Sequence, residues 1–194
     1  MKVTADIDID CADRTEILKY FKHVSAKQKN GKTHNSGVYF HDVPYEPLTN
    51  LCLLEYNQAE DMGFFKIDLL NVHLYKDING REHLNKLLNE EPDWDLLQHK
   101  EIVDMLFHLN GHFDIVNTHD PKNIEQLAML LAIIRPAKRA LLGRSWPEIE
   151  KTVWQKPMDD SYYFKKSHAI GYAHVIVLQL NLLRENPQKF LAQS

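Results

Sequence analysis

The segment near the N-terminus alternates apolar and acidic residues, and it constrains the fold of this chain more than any other stretch. Residues 3–10 read VTADIDID, so Asp6, Asp8 and Asp10 recur at every second position. A period of two predicts a β-strand whose successive side chains point to opposite faces. The three aspartates are therefore expected on one face of this strand.

Three carboxylates on one strand face repel each other. Either a cation neutralises them or water solvates them freely. Oxygen ligands of this charge density suit Mg²⁺ or Mn²⁺. A strand whose acidic face is simply exposed to water shows the same alternation, so the pattern alone leaves both a metal site and a solvated face open.

A second segment supplies another carboxylate and a lysine. Residues 62–70 predict a strand in which Lys66 and Asp68 share one face. An aspartate in an otherwise apolar strand needs a partner, because burying a lone charge is costly. Carboxylates from two neighbouring strands are the arrangement of two-metal phosphoryl transfer, beside which a lysine can meet phosphate. A salt bridge from Lys66 to Asp68 or Asp8 is the alternative, and spacing does not choose between these roles.

The chain divides into a strand-rich part and a helical part. The predicted strands lie at 3–10, 37–43, 51–57 and 62–70, and the predicted helices at 13–27, 81–89, 94–109, 122–134, 146–155, 167–184 and 187–193. The remaining stretches, including 28–36, predict loops. Because the strands are segregated from most helices, the sequence predicts an α+β fold with a sheet in residues 1–75 and helices in 76–194.

The net charge of −4 conceals an uneven distribution. Residues 1–120 carry 12 Lys and Arg against 21 Asp and Glu, whereas residues 121–194 carry 11 against 6. These parts have net charges of −9 and +5. Metal-binding carboxylates facing a phosphate-binding surface would produce this asymmetry, and two ordinary solvated surfaces would produce it equally.

Sequence features also predict a cytoplasmic location. No run of about 18 apolar residues occurs, so no membrane span or membrane partner is expected. The first ten residues are acidic, unlike a secretory signal. Cys11 and Cys52 lie in apolar segments, where buried thiols in a reducing compartment are expected.

Six blocks of the chain form an ordered pattern that includes ADIDID, HNSGV, FFKIDLL, IIRP and FKKSHAIGYA. The blocks are residues 5–21, 34–40, 62–75, 110–116, 121–142 and 164–192, about half of the chain. In this order they resemble the catalytic core of the bacterial C-family replicative DNA polymerases, the DNA polymerase III alpha subunits. The matching family features are an acidic strand, a His-x-x-Gly-Val strand, a Lys-x-Asp-x-Leu strand, an Arg-Pro helix end and a Lys-Ser-His helix.

The resemblance implies two groups of functional residues. The residues that match the catalytic, metal-binding carboxylates of the family are Asp6, Asp8 and Asp68. The residues that match its nucleotide-binding or phosphate-binding positions are Lys66, Arg135, Lys166 and His168. For His168, a helix cap or a hydrogen bond in the core is an equally good interpretation, and Ser167 can serve as the N-cap.

The resemblance also implies a fold and an activity. The expected fold is a small palm-like sheet of the nucleotidyltransferase type, followed by a helical finger-like region. The expected activity is that of a DNA-directed DNA polymerase, which transfers a dNTP to a primer 3′-OH with two Mg²⁺ (or Mn²⁺) ions. Primer–template DNA and dNTP are the expected partners, and the small size favours a phage or mobile-element replication gene acting in the host cytoplasm.

Departures from the family leave the function open. The Gly-Ser phosphate-binding motif upstream of the acidic strand is not seen, and about 28 residues, Ala137–Phe164, stand in place of a long helical insertion. One interpretation is a catalytic subunit completed in trans by a partner that supplies the phosphate-binding loop. Another is an inactive polymerase-derived module that binds DNA or the replisome. A metal-dependent nuclease is a third, for which no base is placed by any motif.

Overall fold

The computed structural model describes residues 7–158 and 163–188. It divides the chain into two compact units, Met1–Asn79 and Gly80–Ser194. The first holds the β-strands and the second is helical, so the predicted α+β class is confirmed. Asp6, and residues 189–193 of the helix predicted at 187–193, lie outside the described residues.

The elements of the first unit, here called the sheet unit, are short. Its strands are β1 (Ile7–Cys11), β2 (Val24–Lys27), β3 (Thr33–Tyr39), β4 (Tyr45–Glu46), β5 (Leu51–Glu55) and β6 (Ile67–Asn71), and its helices are α1 (Arg14–Leu18), α2 (Tyr56–Asp61) and a 3₁₀ turn at His73–Asp77.

Six described strands form one mixed sheet in the order β1-β6-β3-β2-β5-β4. The pairs β1–β6 and β2–β5 are parallel, and the other neighbours are antiparallel. The acidic strand β1 therefore lies at an edge, and β6, which carries the second acidic motif, is its immediate neighbour.

Each face of this sheet has its own small core. On one face Cys11, Val38 and Leu69 are buried against Ile17 and Leu18 of α1. The buried residues of the second cluster, which α2 helps to close, are Val24, Ala26, Tyr39, Val43, Cys52 and Ala59. Both cysteines are thus buried thiols.

The helix predicted over 13–27 is wrong beyond Leu18. Asp13 caps α1 as expected, because its carboxylate accepts from the Thr15 amide at 3.0 Å. The helical spacing of apolar residues then continues to Val24, which predicted a longer helix. Val24 and Ala26 instead lie in the strand β2. Because β2 pairs with both β3 and β5, these two side chains are buried in one cluster with Tyr39.

Other boundaries differ as well. The strand predicted at 62–70 begins only at Ile67, and the helix predicted at 146–155 ends at Glu150. The strand predicted at 51–57 ends at Glu55, whose side chain forms a capping box with Gln58 and starts α2. The loop predicted at 28–36 already contains the start of β3.

The second unit, here called the helical unit, consists of one helix of 20 residues and several shorter ones. Its helices are α3 (Gly80–Asn89), α4 (Lys100–Val103), α5 (Phe113–His119), α6 (Ile124–Ile133), α7 (Trp146–Glu150) and α8 (Lys166–Glu185), with 3₁₀ turns at Trp94–Gln98 and Pro136–Leu141. The single helix predicted over 94–109 is wrong: a 3₁₀ turn and the four-residue α4 occupy its place, and α5 was not predicted.

Helix α6 is the centre of the helical core. Every residue from Leu127 to Ile133 is buried, and α8 packs against it through residues such as Ala173 and Ile176. The Asn123 side chain caps the start of α6, since its Oδ1 accepts a hydrogen bond from the backbone N–H of Gln126 at 2.8 Å. In the described ranges, no helix has both the length and the apolar character needed to cross a bilayer.

A fully buried amide joins α8 to the end of α3. Asn181 Nδ2 donates to the carbonyl oxygens of Leu87 at 2.9 Å and Glu90 at 2.8 Å. These carbonyls belong to the last turn of α3 and the residue after it, where no intrahelical donor remains.

We expect Asn181→Leu to lower the free energy of unfolding by about 2 kcal/mol, because it leaves one buried and one partly buried carbonyl without this donor. Urea unfolding measures the loss. The same substitution at the exposed Asn85 of α3 is the control, for which a change of at most about 0.5 kcal/mol is expected. Equal losses in the two variants would contradict a role for the buried amide.

Candidate functional site

The two described aspartates of the predicted acidic site are direct neighbours in the sheet. Asp8 of β1 is the register partner of Asp68 of β6. Partners in a parallel pair project from the same face, and adjacent strands lie about 4.8 Å apart. Asp8 is exposed, whereas Asp68 is only 7% exposed. The structure therefore places one solvated and one buried carboxylate side by side.

Asp68 has two side-chain donors. Ser36 Oγ donates to its Oδ1 at 2.7 Å, and Lys66 Nζ donates to its Oδ2 and forms an ion pair. Of the two salt bridges considered for Lys66, the one to Asp68 is thus present. Both partners compensate the cost of burying the Asp68 charge.

An irregularity in β3 brings Ser36 to this position. Between the pairs Ser25↔Val38 and Lys27↔Thr33, a single residue of β2 lies opposite four residues of β3, His34–Gly37. A bulge of this kind redirects side chains that a regular strand would point elsewhere. His34 closes the bulge, since its Nδ1 accepts the backbone N–H groups of Gly37 at 2.9 Å and Ser36 at 3.3 Å.

His34 is neutral in this arrangement. Its Nδ1 accepts backbone N–H groups, so the hydrogen-bond network assigns the ring proton to Nε2. Burial lowers the pKa of His34 and outweighs the nearby Asp68 carboxylate, which raises it, while Lys66 and Arg14 lower it further. The 3.6 Å separation between His34 Nδ1 and Asp68 Oδ1 is therefore a contact with a neutral ring and not an ion pair.

Gly37 makes room for the lysine. It is the register partner of Asp68 on the side away from Asp8. A Cβ atom at Gly37 would lie 3.0 Å from Lys66 Cδ and 3.1 Å from His34 Nδ1. The Lys66 side chain thus reaches Asp68 across a position that has no side chain of its own.

The turn after β1 is tied to the other strands. The Arg14 backbone N–H donates to Asn71 Oδ1 at 2.7 Å, and the Arg14 guanidinium donates to the Asn35 carbonyl. Asp13, which caps α1, also pairs with Lys76. Hydrogen bonds from Thr15 and then from Lys76 lower the pKa of Asp13 to about 2. These contacts hold the end of β1 beside β6 and β3.

The donor chemistry fits a hard cation only in part. Asp8 and Asp68 offer carboxylate oxygens on one face, as Mg²⁺ or Mn²⁺ requires. Over residues 7–158 and 163–188, no three Asp, Glu, His or Cys side chains group closely enough to hold a metal ion. The third predicted ligand, Asp6, lies outside these ranges. The ion-binding role of the three aspartates therefore stays a prediction.

The other predicted site residues lie in the helical unit. The Arg135 guanidinium, directly after α6, is 5.0 Å from the centre of the Phe164 ring, and the His168 ring is 6.4 Å from it. Arg135 and His168 thus share one aromatic neighbour. Lys166 Nζ lies 6.0 Å from the Trp154 ring instead.

Helix α8 begins one residue earlier than predicted. Its N-cap is Lys165, which makes no side-chain capping bond, so the expectation that Ser167 caps it is wrong. The contact between His168 and Phe164 agrees with a packing role for this histidine, the alternative that the sequence left open.

Three residues of the sheet-unit site have no role in the sequence prediction. Ser36 and His34 lie in the HNSGV block, whose His-x-x-Gly spacing marks the bulge without revealing its contacts. Tyr56 has no sequence signal. Its ring lies 5.8 Å from Lys66 Nζ and 5.5 Å from the His34 ring, edge to face.

Comparison with known proteins leaves the family undecided. No protein-family model, curated protein sequence or solved structure matches this chain. The geometry of the site must therefore carry any functional argument.

We expect the pKa of His34, followed by NMR of its ring, to lie below 6.5. Asp68→Asn should lower this pKa further, because it removes the carboxylate that raises it, and Lys66→Met should raise it. Asp42→Asn, an exposed change away from the ring, is the control and should leave it unchanged.

The same pKa shift determines how the free energy of unfolding depends on pH. Because the pKa of His34 is lowered in the folded state, the unfolded chain binds a proton at this histidine more readily. The contribution of His34 to the free energy of unfolding is therefore complete above pH 6.5 and is lost as the pH falls below it. A rise in the pKa of His34 in Asp68→Asn, or a fall in Lys66→Met, would contradict the assigned electrostatics.

We expect Gly37→Ala to lower the free energy of unfolding by about 1–3 kcal/mol, since the new methyl group overpacks the space beside Lys66 and His34. Thermal or urea unfolding measures the change. Gly171→Ala in the exposed part of α8 is the matched control: nothing lies near a Cβ there, so about 1 kcal/mol of stabilisation is expected. Stabilisation by both substitutions would show that Gly37 is not tightly packed.

Proposed function

We propose that this chain takes part in metal-dependent nucleotidyl transfer, in the manner of a DNA polymerase that adds a dNTP to a primer 3′-OH. The observation that carries the proposal is the register partnership of Asp8 and Asp68, with Lys66 on the same carboxylate. Two acids on adjacent strands of a mixed sheet also support a palm-like architecture, and the helical unit then corresponds to a finger-like region.

The proposed roles follow from the environment of each side chain. Asp8 and Asp68, together with Asp6, would hold the divalent ions. Bound Mg²⁺ or Mn²⁺ would supply charge neutralisation on the phosphates and activation of the attacking oxygen. Asp68 is held in one orientation by Ser36 and Lys66, which reduces the reorganisation needed when a ligand arrives. Lys66 supplies a positive charge where phosphate oxygens would approach.

The proposal includes partners. Primer–template DNA and dNTP are the substrates, and Arg135, Lys166 and His168 would contact nucleotide or phosphate from the helical unit. A second polypeptide would supply the Gly-Ser phosphate-binding loop. A cytoplasmic, phage-like replication context remains part of this proposal.

A second candidate is a polymerase-derived module that binds DNA or a replisome protein without catalysis. The ion pair between Lys66 and Asp68 favours it, because Lys66 and Ser36 satisfy the buried carboxylate without a metal ion. A site that has lost its chemistry could keep this pair for stability alone.

We expect the purified chain to extend a labelled primer on a DNA template with four dNTPs and Mg²⁺ or Mn²⁺. Asp8→Asn should reduce extension at least about 100-fold, because even changes to outer partners of metal ligands cost about 10- to 100-fold. Asp10→Asn, on the same strand and face but beside Leu70, is the matched control and should retain extension.

Other outcomes separate the candidates. Equal extension by wild type and Asp8→Asn would overturn the catalytic role of the acids. If extension is absent even with proteins co-purified from the native host, and DNA affinity is the same in Asp8→Asn, the binding module is supported. Calorimetry with Mn²⁺ checks independently whether Asp8→Asn removes an ion site.

A further inference from the structure

A groove of about 450 Å³ lies beside the acidic pair in the sheet unit. It is open to solvent, and the residues that line it are Gln28, Lys29, Asn30, His34 and Tyr56. His34 and Tyr56 also contact the acidic site, since His34 approaches Asp68 and the Tyr56 ring approaches Lys66. Two of the lining residues therefore contact the ion pair of the proposed catalytic carboxylate.

The rim of the groove is a structured turn between β2 and β3. The Gln28 N–H donates to the Lys32 carbonyl at 2.8 Å, and the Gly31 N–H donates to the Gln28 carbonyl at 2.9 Å. The Lys32 N–H donates to Asn30 Oδ1 at 2.9 Å. Gly31 has φ +80°, a conformation that favours glycine. These bonds hold the lining residues of the turn in a defined arrangement.

The segment of the chain that contains the rim carries only positive charges. Five lysines and no Asp or Glu occur between residues 17 and 41, although the chain as a whole carries −4. Of these lysines, Lys19 pairs with Glu16 at 2.6 Å and Lys27 donates to the Leu53 carbonyl. Lys29 is exposed on the groove, where its charge suits an anion such as phosphate.

Two of the lining residues carry aromatic rings. The rings of His34 and Tyr56 meet edge to face at 5.5 Å, and the backbone contacts of His34 Nδ1 fix that ring. Aromatic surfaces of this kind stack nucleic-acid bases without regard to sequence. The side-chain amides of Gln28 and Asn30 add hydrogen-bond donors and acceptors to the lining.

We infer that this groove binds a nucleotide, with the phosphate at Lys29 and the base against Tyr56 and His34. The volume suits a ligand of that size. The inference deepens the proposed function and rests on it for the class of ligand. Two sources share this chemistry, a free nucleoside triphosphate and the end of a single strand, and the experiment distinguishes them.

The test measures binding of dTTP and of a single-stranded oligothymidine about 10 nucleotides long, a length within the range of single-strand sites. Both titrations are done in EDTA, so that the acidic site contributes no metal-mediated binding. Tyr56→Leu, which keeps an apolar side chain for packing, should weaken binding about tenfold. Tyr45→Leu, in the exposed strand β4, is its control and should bind as wild type.

Two variants that each remove one lysine charge test the contact between Lys29 and the phosphate. Lys29→Gln should weaken strand binding and reduce the slope of log Kd against log salt by about 0.7. Lys22→Gln removes the same charge from the same basic segment, away from the groove, and should retain the wild-type slope. Weakened dTTP binding identifies a free-nucleotide site, and weakened oligonucleotide binding identifies a strand site.

Three results overturn the inference: no binding of either probe by wild type, no effect of either groove variant, or equal effects of Lys22→Gln and Lys29→Gln. Failure of the proposed function gives a different result. In that case Asp8→Asn leaves primer extension unchanged, or extension is absent, while the groove variants still lose binding in EDTA.

Discussion

The buried carboxylate of Asp68 is the constraint on which the sheet-unit site depends. A charge with so little exposure persists in an apolar strand only if donors surround it. Lys66 and Ser36 supply these donors, and each requires a further feature of the fold. Lys66 needs the space above Gly37, and Ser36 needs the bulge in β3 that His34 closes. One charge thus explains a glycine and a strand irregularity, whereas burial lowers the pKa of His34 in opposition to that charge.

The neighbouring acid is in the opposite situation. Asp8 lies on the edge strand β1 and is exposed to water. This difference matters for the proposed chemistry. A buried carboxylate that Ser36 and Lys66 orient and an exposed one beside it can together offer oxygen ligands to an ion. The same pair is stable without an ion, because Lys66 balances Asp68. The geometry therefore accommodates both the catalytic proposal and the binding module.

Sequence reasoning succeeded where a periodic pattern and its burial agree. Helix α6, with its apolar run and its Asn123 cap, and helix α8 lie within one or two residues of their predicted bounds. It failed where pairing partners decide the outcome. Val24 continues the helical spacing of apolar residues that begins at Ile17, yet it lies in a strand because β2 pairs with β3 and β5. The segment after Trp94 has helical spacing, but it turns as a 3₁₀ segment and a separate short helix around the buried Leu97.

By itself, the sequence determined that strands precede most of the helices and that Asp8 and Asp68 belong to two strands, because alternation is a local property of the chain. Lys66, which was predicted in the same strand as Asp68, lies directly before β6. Only the tertiary structure decided which strands are neighbours, since register depends on contacts between residues about 60 positions apart in the pair Asp8 and Asp68. The roles of Ser36, His34 and Tyr56 belong to the same category. Their side chains contact residues of other elements, because β3, α2 and β6 pack together in the folded chain. A local sequence pattern does not specify such contacts.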